Sequence, residues 1–406
     1  MPLRSPAFRW FLVGQAVTMA GSAMSPVALA FGVLELTGSA AWLSAVTTAA
    51  AVPMVATLLF GGGIADRYRR DTVLGLTSLG AGLTQAAVAV LLLAHQHPAL
   101  LLPLSALNGV FQGLTRPAMR GIVSNLATGR ELQSAGSLLS SVGNAAQILG
   151  PAAAGLLTAS VGGGWAIAVD AASFLVAAAC FARMSLPGGS RRGDGGLREG
   201  WDYFRGNPWI WTVTLAFAVF NALSRGVWQI LGPVIASDTI GAAGWGLVLS
   251  ARGVGALLGG AAMLRLTLRR PMAPALLSMS LAALPLILLG AGVPTVWLVA
   301  SAFAAGVATE FFTVVWTTVC NTHIPERLLS RVGSHDEFWS SAPAPLGQLS
   351  APLLAAAFGA AGTAVAGGAV AAVAIMAPVL LPALRRLEVS RRARPARPGR
   401  SGTAAG

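Results

Sequence analysis

The sequence predicts an all-α membrane protein of about twelve transmembrane helices in two pseudo-symmetric six-helix bundles. Three observations carry this: the apolar content, the placement of the arginines, and an echo between the two halves. The chain has 406 residues, of which 55% are hydrophobic and only 10% charged. Soluble domains carry about 25% charged residues. Mean hydropathy is +0.71, so most of the chain is built for a solvent other than water.

A spanning helix needs about 20 mostly apolar residues. In order, such runs lie near 10–36, 42–64, 72–94, 99–119, 135–159 and 164–184. After a polar stretch they resume near 210–235, 245–266, 273–292, 294–318, 338–358 and 363–384. The first run is too long for the apolar core of a signal peptide and reads as a first spanning helix. The polar stretch splits the runs into bundles at 1–184 and 209–384, joined by a cytosolic linker at 185–208. Within that linker "LREGWDYF" reads as a short surface helix. The basic terminal segment, 385–406, reads as a disordered cytosolic tail resting on anionic lipid.

The basic residues test this count. Lys+Arg total 27 against 14 acids, a formal charge of +13, and every basic side chain is arginine. With the N-terminus inside, the cytoplasmic connections hold Arg67, Arg69, Arg70, Arg120, Arg130, Arg191, Arg192, Arg198, Arg205, Arg265, Arg269, Arg270, Arg327 and Arg331. The opposite connections, such as "LTGSAA", "HQHP" and "SVGGG", hold none. That alternation is the positive-inside pattern, and it places both termini in the cytoplasm of a multi-pass cell-membrane protein. It also argues against a nucleic-acid partner, whose arginines would line a soluble face.

The halves echo each other. "QILGP" at Gln147–Pro151 returns as "QLSAP" at Gln348–Pro352, on the fifth and eleventh spans. "FGGGIADRYRR" is followed at a similar offset by "LGGAAMLRLTLRR", on the second and eighth. A duplicated six-helix unit puts a pathway at the interface of its halves, as in rocking transporters.

Charge is concentrated at "GGGIADRYRRDTVLG" (61–75), while Leu43–Phe60 and Leu74–Leu93 contain no charged residue. Gly62, Asp66, Arg67 and Arg70 in this loop resemble the G-x-x-x-D-R-x-G-R-[RK] signature of the major facilitator superfamily. Arg69 stands at the usual glycine position and Asp71 at a usual basic one. "GPAAAG" (Gly150–Gly155) resembles the G-P-x-x-G-G signature of exporters that act as antiporters. Longer strings, among them "RPAMRGIVSNLATGRELQSAGSL" and "LREGWDYFRGNP", resemble the bacterial branch of enterobactin exporters and macrolide-efflux-like proteins. The resemblance runs to about Leu384. It implies a secondary transporter exporting a small amphipathic compound by proton antiport, with rocker-switch alternating access. Uptake or facilitated diffusion on the same fold is the first alternative, and a non-transporting membrane sensor the second.

A charge inside hydrocarbon costs about 2.5 to 3.5 kcal/mol on insertion scales, so each one needs a reason. Glu310, in the tenth span, is the first candidate for proton coupling; the competing reading is a fixed ion pair with Arg225. Asp170, in the sixth span, is the second candidate, weighed against simple helix packing. Arg225, in the seventh span, could hold an anionic substrate through its planar fork. Arg252 reads as structural or as part of the outer vestibule, and Glu35 as interfacial. Asn221, Trp228, Gln229 and Trp316 are further pathway candidates. Gly62, Asp66, Arg67, Arg70, Arg116 and Arg120 are expected to form a cytoplasmic latch. The N-terminal end of the eleventh helix, taken as Ser334–Trp339, could offer its dipole to Asp66. Gly150, Pro151, Gly155 and Pro352 are expected to pack or kink helices.

No Walker-type phosphate loop is present, so the proton gradient is the expected energy source and no cofactor is called for. Cys180 and Cys320 lie far apart, and no His/Cys spacing suggests a metal. The partners expected are a small-molecule substrate, protons and the bilayer, with the chain a monomer and not an enzyme.

Overall fold

The computed structural model describes residues 5–67, 69–126, 130–184, 197–266, 268–385 and 387. At 58–67, 116–118, 120, 121, 123–126, 130–133 and 383 it describes the backbone alone. The first bundle comprises α1 (Pro6–Thr37), α2 (Ala40–Arg67), α3 (Arg70–Leu93), α4 (Leu101–Leu126), α5 (Arg130–Val161) and α6 (Gly163–Ala182). The surface helix α7 (Leu197–Gly206) follows, as the linker sequence predicts. The second bundle comprises α8 (Pro208–Thr239), α9 (Gly241–Met263), α10 (Met272–Gly290), α11 (Thr295–His323), α12 (Glu326–Ser341), α13 (Ala344–Phe358) and α14 (Ala360–Leu380). The described residues contain helices and no strand. That is the expected solution in lipid, where each backbone amide must find its partner within its own segment.

Nine of the described helices are long and apolar enough to cross a membrane. The three remaining predicted spans correspond to α4, α5 and α13. α4 and α5 carry more polar residues but run along crossing neighbours: Gly109 and Gly113 of α4 against Ala50, Met54 and Thr57 of α2, and Gly143 and Gly150 of α5 against Met19 and Ala23 of α1. α13 is short because the eleventh span is broken at Ala342 and Pro343. The helix begins at Glu326, so Ser334–Trp339 lies well inside α12. The expected helix-dipole contact at Ser334–Trp339 is therefore corrected. The free amides of that helix sit a full two turns earlier.

The helices alternate in direction, so the start of α1 and the end of α14 lie at one face, called here the terminal face; the far face carries the turns at Gly38, Gly162, Gly241, Gly292 and Gly359. The two bundles meet at the far face. One mixed core joins Ala28, Val33, Leu43 and Val46 to Val227, Ile230, Leu231 and Ala351. A second joins Met24, Val27, Phe31 and Ala154 to Ala236, Ala242, Trp245 and Val248. Nearer the terminal face each core belongs to one bundle. Phe8, Phe11, Leu74, Ile122 and Phe181 cluster in the first. Phe204, Ile210, Ile324, Leu328 and Val332 cluster in the second.

α7 belongs with the second bundle. Glu199 pairs with Arg331 at 2.8 Å and Arg327 at 3.2 Å, and the Tyr203 hydroxyl donates to the His323 carbonyl at 3.1 Å. Trp201 stacks on Phe204 and lies 5.4 Å from the His335 ring.

The far-face seam depends on bare backbone. A methyl group on Gly246 of α9 would strike the Pro151 carbonyl and Gly155 of α5, and one on Gly155 would strike the Ala242 carbonyl. Small residues allow such close approach where no hydrophobic force between helices exists. Replacing Gly246 by alanine is expected to cost about 1–3 kcal/mol through overpacking, seen as a lowered unfolding temperature in detergent. Gly333, whose added methyl would meet nothing, tolerates the same change with an unchanged or raised unfolding temperature.

Candidate functional site

The two bundles are tied at the far face by a node of hydrogen bonds on Gln348 of α13. Its backbone carbonyl accepts from Ser44 Oγ at 2.7 Å, and its Oε1 accepts from Thr48 Oγ1 at 3.4 Å, both on α2. Its Nε2 donates to Gln229 Oε1 of α8 at 2.6 Å. Gln348 is 5% exposed, with Ser44 at 2% and Thr48 at 6%. A buried amide with all three of these contacts made is a strong tie across an otherwise apolar seam.

α8 reaches this node through a π-helical segment, Asn221–Val227. Its extra residue per turn redirects the side chains that follow, and such segments recur at functional sites. The segment lies hard against α13, because methyls on Gly226 and Gly347 would collide with Gly347 and Ala222 respectively. Asn221 is buried and donates to the Ser340 carbonyl at 2.9 Å, so this candidate ties α8 to α12. Arg225 and Gln229, one turn apart, are both exposed on one side of α8. Trp228 is half-buried and packs on Trp245, ring centroids 4.5 Å apart.

Glu310 lies half-buried on α11, with its side chain over Gly260 of α9. It makes no hydrogen bond or ion pair among the described residues, and is not paired with Arg225. Asp170 sits elsewhere: it is fully buried within the first bundle. Gln85 of α3 donates to its Oδ2 at 2.7 Å and to Ser25 Oγ of α1 at 3.0 Å, binding α1, α3 and α6 together. Its Oδ1 is buried with no hydrogen-bond partner. Trp316, half-buried, donates to Asp336 Oδ2 at 3.1 Å, and Thr214 donates to Asp336 Oδ1 at 2.6 Å. Asp336 thereby links α8, α11 and α12. Glu35 accepts from the Gly163 amide at 3.0 Å and caps α6, where a negative charge is favoured.

A family model described as Major Facilitator Superfamily matches residues 11–335. The chain belongs to the major facilitator superfamily. It is 27% identical over 397 residues to the multidrug efflux pump Tap of Mycolicibacterium fortuitum, covering 91% of this chain and 94% of that protein. It is 26% identical over 405 residues to Tap of Mycobacterium tuberculosis, covering 95% and 96%. Among solved structures it is similar to the nucleoside transporter NupG, at 14% identity, 92% and 99% coverage and a TM-score of 0.75. It is also similar to a bacterial homolog of the human lysosomal transporter Spinster in an inward-facing conformation, at 13% identity, 93% and 95% coverage and a TM-score of 0.69. At those identities the structural likeness is one of fold.

The superfamily loop between α2 and α3 is partly described. The side chains of Gly62, Asp66, Arg67, Arg116 and Arg120 lie outside the described residues. Arg70 opens α3. Arg69 and Asp71, the two departures from the motif, meet each other. Arg69 Nη2 lies 2.8 Å from Asp71 Oδ2 and its Nε 3.3 Å from Oδ1, while Asp71 Oδ1 also accepts from the Thr72 amide at 2.9 Å. Asp71 is 5% exposed and Arg69 54%. A cation where the motif has glycine is thus matched by an acid where it has a base.

Of the kink and packing candidates, Gly150 abuts Ala23 of α1 and Gly155 abuts α9. Pro151 and Pro352 lie inside continuous helices. The node residues Ser44, Thr48 and Gln348 were not site candidates in the sequence. The signal that could have found Gln348 is the repeat itself, since QLSAP mirrors QILGP.

Two outcomes test this geometry. Asp71→Asn and Arg69→Ala are expected to show non-additive losses of stability, with a coupling of about 0.5–1 kcal/mol in a double-mutant cycle by thermal unfolding. Gln348→Ala removes side-chain ties to Thr48 and Gln229, each worth about 1 kcal/mol. It is expected to raise the rate at which a cysteine placed at Ser44 is alkylated from the far face by about tenfold.

Proposed function

We propose that the chain is a secondary transporter that exports small amphipathic compounds across the cell membrane in exchange for protons. The observation that carries the reading is the asymmetry of the seam between the bundles. Mixed cores and the Gln348 node join them at the far face, and separate cores hold each bundle near the terminal face. Two rigid bundles hinged at one face are what alternating access requires. The arginines of the terminal-face connections support a cytoplasmic position for that face, and the conformation is then inward-open. Export rests on full-length similarity to the Tap pumps.

Glu310 is the proton-carrying group in this proposal. A carboxylate on a wall of the moving bundle, with no fixed cation, is free to gain and lose a proton as its surroundings alternate between wet and dry. Asp170 serves instead as a fixed tie of α1, α3 and α6. Asp66 and its neighbouring arginines act as the terminal-face latch that closes when the far seam opens.

The test uses everted membrane vesicles and a fluorescent amphiphile. An imposed gradient, acid inside, is expected to drive accumulation by the native chain. Glu310→Gln is expected to abolish the response to the gradient while leaving equilibration down a substrate gradient intact. Gradient-driven loss from the vesicles would reverse the direction, and undiminished coupling in Glu310→Gln would remove its role.

A further inference from the structure

The first bundle carries a groove of about 640 Å³ between α3 and α6, at the terminal face. α3 packs on α4 and α6, and α6 on α1, α3 and α5, so the groove is built by the first bundle alone. Leu76 and Leu79 of its α3 wall are 62% and 42% exposed, and Ala179 of its α6 wall is exposed too. Its long side therefore opens to the bilayer. Two glycines of α3 mark its extent. A methyl group on Gly75 would meet nothing, whereas one on Gly82, two turns deeper, would strike Leu175 of α6. The helices stand apart near the terminal face and close on each other where the groove ends.

The groove has the reach of an acyl chain. From Asp71 to Leu79 its α3 wall covers eight residues, about 12 Å. One leaflet of hydrocarbon is about 15 Å deep, half of a core of about 30 Å. The chemistry changes along that length. Arg69, Asp71 and Thr72 line the terminal-face end, and the remaining lining is apolar. Asp71 is buried and matched by Arg69 at 2.8 Å, whereas Arg69 is 54% exposed. Arg70 and Arg183 each stand in the chain between two lining residues. Arg183 is exposed, its guanidinium 4.8 Å from the centre of the Trp10 ring. Three arginines thus gather at an end where the one acid lining the wall is Asp71, so among the described residues the balance is positive. Tryptophan and arginine are the side chains that settle at the headgroup level of a bilayer.

An unfilled hollow forfeits the dispersion contacts of its walls, and in a bilayer the group at hand to fill it is an acyl chain. The positive end then selects among headgroups, because arginine near a membrane surface favours anionic lipid. We propose that this groove is a binding site for one anionic phospholipid of the leaflet at the terminal face. One acyl chain lies between α3 and α6 down to the contact of Gly82 with Leu175, and the phosphate rests at the arginine-lined mouth. The lipid bridges the start of α3, next to the charged loop, and the end of α6.

The test is native mass spectrometry of the full chain, stripped of lipid in detergent and titrated with dioleoylphosphatidylglycerol or dioleoylphosphatidylcholine. The first phosphatidylglycerol is expected to bind about fivefold more tightly than the first phosphatidylcholine, the scale of one arginine near a lipid surface. Gly75→Phe fills the groove without changing charge, and is expected to weaken that first phosphatidylglycerol at least about fivefold, as judged against the loss of one such contact. Gly333→Phe, at an open position on α12 of the second bundle, is expected to leave it unchanged. Arg69→Gln is expected to abolish the preference for phosphatidylglycerol while phosphatidylcholine binds as before. Should Gly75→Phe fail to fold, Ala179→Phe plugs the groove from the α6 wall; should Arg69→Gln fail, Arg183→Gln carries the charge arm. Equal binding of the two lipids by the native chain would overturn the proposal. So would undiminished phosphatidylglycerol binding in a folded plugged variant, which would leave the arginines holding lipid at the surface alone, or an intact preference in a folded arginine variant. The readout involves no transport, so failure of gradient-driven movement in vesicles bears on the export reading and not on this site.

Discussion

The structure depends on how closely two bundles can approach at one face. Gly155 and Gly246 bring the backbones of α5 and α9 into contact, and Gly226 and Gly347 do the same for α8 and α13. Only after that approach can Gln348 reach α2 and Gln229 together. Lipid tails are as apolar as leucine, so burial alone gives the bundles no reason to associate. Van der Waals packing of bare backbone and a few dry hydrogen bonds supply the association. Both fall away steeply with distance, which lets a seam of this kind part as a unit.

Inside each bundle a different set of polar ties keeps the helices from moving separately. In the first, Asp170 and Gln85 bind α1, α3 and α6, and Asn108 of α4 donates to Thr84 of α3 at 3.0 Å. In the second, Asp336 gathers α8, α11 and α12 through Thr214 and Trp316, while Asn221 adds a bond to Ser340. Water is not at hand to replace such partners in hydrocarbon, so breaking one leaves a buried group unsatisfied. The ties within bundles and the seam between them divide the work: the former make two bodies, and the latter sets how those bodies meet.

The loop between α2 and α3 shows how a motif can vary without losing its charge balance. The superfamily pattern has glycine and a base where this chain has Arg69 and Asp71. The two form a close pair, with Asp71 buried and also accepting from the Thr72 amide. Reading one position at a time marks two deviations, and the structure reveals one exchange.

The sequence by itself determined where the chain crosses the membrane, that the crossings divide into two sets of six, and which superfamily the loop at 61–75 belongs to. Each of these is written in stretches of adjacent residues: about 20 apolar positions to match a bilayer, arginines clustered between them, a motif of ten positions. The tertiary structure decided which polar residues meet. Glu310 and Arg225 are both intramembrane charges and invite pairing on paper, yet Glu310 rests on Gly260 and makes no ion pair among the described residues. Trp316, an aromatic residue suited to a pathway, is spent on Asp336. The helix leading into the eleventh span starts at Glu326, about three turns before the apolar run near 338, because α12 is amphipathic and packs on α7 and α8 rather than on lipid. The reason is common to all three. Hydropathy reports how much of a helix suits lipid, whereas partner choice depends on the helix's rotation and on where glycines let a neighbour close in, and neither is written in adjacent residues.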